Sequence, residues 1–153
     1  MKIVSACLCG INCKYNGGNN LHPYFRRLVD RKEAVPVCPE QLGGLPTPRS
    51  PSEIYDGTGE EVLKGHKRVI DKEGLDVTEF FLRGAYKTLD IARKTGAEYA
   101  ILKSRSPSCG VGQVYDGSFT SILKPGDGVT AALMKKHGIE VISDEEFLRM
   151  KNF

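Results

Sequence analysis

Three short apolar runs, Lys2–Ser5 (K-I-V-S), Ala34–Val37 (A-V-P-V) and Tyr99–Leu102 (Y-A-I-L), each lead into a cysteine set among turn-forming residues: Cys7, Cys38 and Cys109. Runs of this length, apolar and bounded by Gly, Pro and Ser, read as buried strands. If they are parallel strands of one sheet, the three thiols leave its carboxyl edge together, where open α/β sheets place ligands. Three converging soft ligands without an obvious fourth point to a metal or cluster with one open coordination position.

Helical patterns alternate with these runs. Pro23 suits the first turn of a helix whose Phe25, Leu28 and Val29 share a face. The clearest helix runs from about Val77 to Thr95, with Asp76 as N-cap, Glu79 three residues on and Gly96 as the stop. Its apolar stripe is Val77, Phe80, Phe81, Gly84, Ala85, Thr88, Leu89 and Ala92, and the small Gly84 and Ala85 allow a close neighbour. Val129–Lys136 is a further helix, Ile139–Ile142 a strand, and Ser143 with Glu146 a capping box for a terminal helix. Ile54–Gly65 reads as a hairpin around D-G-T-G. Pro36 marks its strand as an edge or irregular one. The expected class is α/β: a single domain over residues 1–153, with a mostly parallel sheet and helices on both faces.

A length of 153 residues supports one core, and the 40% apolar and 27% charged fractions are ordinary for a globular chain. The formal charge of +3 is too small to argue for nucleic acid and mildly favours an anionic small ligand. The chain has no apolar run of membrane-spanning length, and its start does not read as a signal peptide, so the expectation is a cytoplasmic protein. Five cysteines, an odd number, argue against a disulfide framework and for metal or reactive-thiol roles. They do not make a two-knuckle zinc pattern, because C-x-C-x₃-C at 7–13 lacks paired C-x₂-C spacing.

Residues 38–52 carry too much proline and glycine for a long regular element, so a ligand or packed leucines must hold them in place. Within them C-P-E sets Glu40 two residues after Cys38, where it either serves as general acid or base or begins a short helix after Pro39. The segment K-S-R-S-P-S-C-G crowds Lys103, Ser104, Arg105, Ser106 and Ser108 ahead of Cys109, a set suited to an anionic or carbonyl-bearing substrate. Gly17–Gly18 is no P-loop, since no G-K-[ST] follows. His22, His66 and His137 sit in surface or helix-end contexts, which disfavours a Ser-His-Asp hydrolase.

Taken together, S-A-C-L-C-G-I-N-C-K-Y-N-G-G, V-C-P-E-Q-L-G-G-L-P-T-P-R, D-V-T-x-x-F at 76–81, L-K-S-R-S-P-S-C-G and Y-D-G-x-F at 115–119 resemble the thiouracil desulfidases, a family once known only as a domain of unknown function. The resemblance spans the whole chain in the family's order. It implies a single desulfidase-like domain and a [4Fe–4S] cluster with three cysteine ligands, which fall on Cys7, Cys38 and Cys109. It also implies an acid/base glutamate at Glu40 and a catalytic serine matched to Ser106, with Ser104 as the fallback. The implied substrate is a small thiolated pyrimidine, as base or nucleotide. Lys14, Arg49, Lys103 and Arg105 are candidates to bind it. The chain departs from the family at Cys9, usually aliphatic, and at Asn16, usually acidic. Cys9 is expected to pack rather than ligate. Two rivals remain at this stage: an iron–sulfur hydro-lyase, and a non-catalytic metal-binding, cluster-binding or sulfur-delivery module.

Overall fold

The three apolar runs are adjacent strands in the computed structural model, which describes residues 1–153. In chain order the elements are β1 (Lys2–Ser5), a 3₁₀ turn (Ala6–Cys9), α1 (Pro23–Asp30), β2 (Ala34–Val37), α2 (Pro39–Leu42), β3 (Ser52–Ile54), α3 (Gly59–Leu63), β4 (Val69–Asp71), α4 (Thr78–Thr95), β5 (Tyr99–Leu102), β6 (Gln113–Tyr115), β7 (Leu123–Pro125), α5 (Val129–Lys136), β8 (Glu140–Ser143) and α6 (Asp144–Met150). The main sheet has the order β2-β1-β5-β8, with every pair parallel. Pro36 lies in β2, at the edge, where its missing N–H is tolerated. No helix is long and apolar enough to cross a membrane.

Alternation along the strands divides the core in two. Ile3, Ala100 and Leu102 face a large cluster with Phe81, Ala85, Leu89 and Ala92 of α4 and Val129, Leu133 and Met134 of α5. Val4, Ala34 and Ile101 face a smaller one with Phe25 and Leu28 of α1 and Phe147 of α6. Both faces of the sheet are therefore covered, as a parallel sheet requires. The chain steps from β1 outward to β2, then returns to the other side of β1 as β5. That reversal opens a crevice beyond the carboxyl ends of β1 and β5.

Two local expectations need correction. Ile54–Gly65 is not a hairpin. Ile54 ends β3, which pairs antiparallel with β4 instead, and Thr58 starts α3 through a capping box with Glu61. The D-G-T-G turn signal was real, but Thr58 and Glu61 gave it a helix to begin. The long helix starts at Thr78 with Val77 in the cap position; Asp76 lies one residue earlier, accepting the Thr78 N–H at 3.0 Å and pairing with Arg68 at 2.8 Å. At the other end of the chain Ser143 caps α6 by accepting the Glu146 N–H at 3.1 Å, while the Glu146 carboxylate turns to Arg149.

The proline-rich segment after β2 is held by packing. Leu42 and Leu45 lie against the larger core, and α2 meets α4 backbone to backbone. A Cβ on Gly84 would sit 1.9 Å from the Pro39 carbonyl oxygen, and one on Gly43 would sit 2.0 Å from that of Phe80. Arg83 closes the contact by donating to the Gly43 carbonyl at 2.9 Å. Gly84→Ala is expected to destabilise the protein by about 1–3 kcal/mol, the usual range for overpacking. The exposed Lys87→Ala on the same helix serves as the neutral control in a thermal melt. An unchanged melting temperature for Gly84→Ala would rule out the close α2–α4 approach.

Candidate metal centre and substrate cavity

The carboxyl ends of β1, β2 and β5 open into one cavity of about 490 Å³. Cys7 leaves β1 on the 3₁₀ turn that ends at left-handed Gly10 (φ 88°), Cys38 follows β2 directly, and Cys109 closes the loop after β5. All three line the cavity, and so do Glu40, Ser104, Ser106, Lys14, Arg49, Lys103 and Arg105. Every site residue singled out in the sequence is thus brought to one place.

Cys13 joins them. Its carbonyl oxygen accepts from the Cys38 thiol at 3.7 Å, the residue is 2% exposed, and it lines the same space. Hydrogen bonding from Cys13 holds the Cys7 thiol down to about 7 against the opposing effect of burial, and it lowers Cys38 in the same way. Cys13 is itself driven far up by the two sulfurs it serves, so it keeps the proton. Burial, reinforced by the charge of Glu40, raises Cys109 well above the ordinary thiol range. Cys9 stands apart: its thiol points back to the Ser5 carbonyl at 3.8 Å, and burial pushes it up to about 12.

This donor set fits a soft metal group. Thiolates are its natural ligands, and metal binding displaces their remaining protons. No three His, Cys, Asp or Glu side chains form a ready chelate for a single ion. The three strand-end thiols border a wider space.

The loop carrying Cys109 is docked on a helix start. Val129 N–H donates to the Pro107 carbonyl at 2.8 Å, and Thr130 and Ala131 N–H donate to that of Ser108 at 2.8 and 3.1 Å, so the first-turn donors of α5 fix this loop. Gly128 is required there, because a Cβ would lie 2.5 Å from the Ser108 carbonyl carbon. Ser106 Oγ accepts the N–H groups of Ser108 and Cys109 at 3.1 and 3.0 Å. Ser104 is engaged elsewhere: its N–H and hydroxyl both bond the Asp144 carboxylate at the start of α6. Ser5 Oγ accepts the Lys103 N–H at 2.9 Å, tying the ends of β1 and β5 together.

Glu40 lies in the single turn of α2, so it begins a short helix after Pro39 as one sequence reading expected, and it lines the cavity. Its Oε1 accepts from Ser108 Oγ at 2.7 Å, and its Oε2 is 3.8 Å from Arg49 Nη2. Arg49 also donates to the Cys13 carbonyl at 3.0 Å and to Thr47 Oγ1 at 3.1 Å, which makes it a clamp between two loops. Lys103 and Arg105 pair with Asp144 and Glu145. Lys14 has no acidic partner, nor does Lys72, a cavity residue that sequence reading missed.

Two aromatic side chains in the wall, Tyr115 and Phe119, were quoted in the sequence without a role. Their Y-D-G-x-F turn is held by Glu53, whose carboxylate accepts the Gly117 and Phe119 N–H groups at 3.0 and 3.1 Å. Gly117 (φ 97°) must be glycine, since a Cβ would lie 2.7 Å from the Tyr55 Cα. Arg105, Phe119 and Ser121 adopt left-handed backbone without being glycine, at φ 67°, 58° and 62°, and all three line the cavity. Such conformations gather where loops are shaped for a ligand.

Comparison with known proteins agrees with this geometry. The chain is 51% identical over 146 residues to YbbK of Bacillus subtilis (strain 168), covering 95% of this chain and 97% of that protein. Its structure superposes on the [4Fe-4S]-dependent thiouracil desulfidase TudS (DUF523Vcz) with a TM-score of 0.84 and 40% identity, covering 96% of this chain and 92% of that one. The family model for 2-thiouracil desulfurase matches residues 3–146, a span that holds the cavity's cysteines, Glu40 and all of the loop after β5, and the chain belongs to that family.

Proposed function

We propose that the chain is an iron–sulfur-dependent desulfidase that converts the C=S group of a thiolated uracil to C=O and releases sulfide. One arrangement carries the proposal: thiols from three adjacent parallel strands open into a cavity that also holds Glu40 and Ser106. Family membership and the likeness to a [4Fe-4S]-dependent thiouracil desulfidase support it. Cys7, Cys38 and Cys109 would hold the [4Fe–4S] cluster, and Cys13 would stand beside it without ligating. When bound, the cluster supplies an open, thiophilic iron as a Lewis acid toward a thiocarbonyl.

The remaining chemistry belongs to the side chains. Glu40 accepts a proton from water as that water adds to the C=S carbon, and it returns a proton as sulfide leaves. Ser106, its oxygen held by two backbone N–H groups, lines the cavity that would receive the thiocarbonyl. Water plus C=S gives C=O plus hydrogen sulfide, so the balance needs no electron transfer. Tyr115 and Phe119 offer apolar faces to a flat ring.

The substrate is a base or a nucleotide. Lys14 and Lys72 are the cavity cations free to meet a phosphate, whereas Arg49, Lys103 and Arg105 are committed to carboxylates. Those commitments also weigh against a hydro-lyase, which needs free arginines for a substrate carboxylate. Five free cysteines suit a reducing compartment, and the cytoplasm is the proposed location.

Anaerobic reconstitution followed by a sulfide-release assay on 2-thiouracil and a thiouridine monophosphate tests the activity. A colourless protein that releases no sulfide from either compound would overturn it. Cys7→Ala, Cys38→Ala and Cys109→Ala are each expected to lose most of the iron, and Cys9→Ala and Cys13→Ala to keep it. Iron per chain after reconstitution is the measurement, and equal loss across all five would refute the ligand set. Glu40→Gln is expected to assemble the cluster normally and to lose ~10²-fold or more in turnover, the range for a missing general acid or base. Near wild-type turnover in that variant would leave Glu40 a structural residue.

A further inference from the structure

Ser108 has no part in the mechanism above, yet its side chain is fully enclosed beside the site, at 0% exposure. Its Oγ lies 2.7 Å from Glu40 Oε1, 3.1 Å from Ser106 Oγ and 3.5 Å from Cys109 Sγ. A count of hydrogens fixes the direction of these bonds. Ser106 Oγ already accepts from two backbone N–H groups, which fills its acceptor capacity and leaves only its own hydrogen to give. Ser108 Oγ also has one hydrogen, with a carboxylate and a sulfur competing for it. The carboxylate is 0.8 Å nearer and the bond to it is charge-assisted, so the hydrogen goes to Glu40. The lone pairs of Ser108 then face Ser106.

We propose that Ser108 is a positioning residue that couples Ser106 to Glu40 through a single hydrogen-bonded line, Ser106 O–H to Ser108 Oγ and Ser108 O–H to Glu40 Oε1. This rests on the reading in which Glu40 and Ser106 carry the chemistry. Ser108 occupies Oε1, while Oε2 is the oxygen beside Arg49, so the carboxylate is held from both sides. Ser108 also fixes the Ser106 rotamer. The backbone of Ser108 is anchored to the first turn of α5, so the line is tied to a helix rather than to a free loop. Two groups from segments 66 residues apart in the chain, Glu40 and Ser106, thereby move as one unit.

The test is a double-mutant cycle on the reconstituted enzyme with 2-thiouracil as substrate. Ser108→Ala is expected to lower kcat about tenfold or more, the order for a lost hydrogen bond to a charged group, with KM within about twofold. Iron per chain and the visible spectrum should match the unaltered enzyme. In a Glu40→Gln background the same change is expected to cost less than about twofold, because residues acting through one another are not additive. Ser108→Thr keeps the hydroxyl and should recover most of the rate if its added methyl is accommodated, with a thermal melt reporting on that. Full multiplication of the two effects, or iron loss in Ser108→Ala, would overturn the coupling while leaving Glu40 as acid and base. A fully active Glu40→Gln would instead overturn the reading on which the coupling rests.

Discussion

Level register across β2, β1 and β5 is the constraint on which the site depends. Lys2 stands opposite both Ala34 and Tyr99, Ser5 opposite Val37, and Val4 opposite Ile101, so the three strands end at nearly the same height. The residues that follow therefore emerge side by side. Burial on both faces is what holds this register, since a one-residue slip would exchange the side chains of the two clusters and turn Ile3 and Val4 to the wrong sides. Packing of α1, α4, α5 and α6 against the sheet is thus the indirect cause of thiol convergence. The loops only finish what the register begins.

Those loops are held by partners remote in sequence, and each anchor satisfies backbone groups that would otherwise need water. Helix α4 receives α2 at Gly84, α5 receives the Pro107 and Ser108 carbonyls, and Glu53 receives the N–H groups of the Y-D-G-x-F turn. Arg49 joins the Cys13 carbonyl to Glu40 and to the proline-rich segment. A site assembled this way is largely formed before any ligand arrives, and so less ordering remains to be done on binding.

What could be read in the sequence follows the range of the forces involved. Strands and long helices depend on local periodicity, so the parallel sheet and the buried stripe from Phe81 to Ala92 were legible. Gly84 was legible as a point of close approach, although its partner, α2, was not. The segment 54–65 was misread because a capped helix start and a hairpin turn share the same residues, and only the pairing of β3 with β4 decides between them. The candidate site residues were picked out because each lies just past a strand end or in a family motif. Cys13 and Lys72 were given no role, and Ser108 was read only as one hydroxyl among several. Their importance arises from contacts across 25 residues or more, such as Cys13 with Cys38 and Ser108 with Glu40. Spacing along a chain does not encode such contacts.

Four sulfurs, those of Cys7, Cys13, Cys38 and Cys109, line one cavity, and their burial raises a question of charge. Buried thiolates are costly when nothing opposes them, because a low-dielectric interior disfavours the charged form. Cys13 answers part of that cost: its side chain lowers both Cys7 and Cys38, and Cys7 lies at about 7 while Cys9 and Cys109 are pushed up. Cys109, reached by no such donor of comparable strength and beside the charge of Glu40, stays protonated. Binding of a cationic iron group would supply the opposing charge for all three strand-end thiols at once. Cys13, outside the proposed ligand set, therefore acts on Cys7 and Cys38 in the protein before any metal arrives.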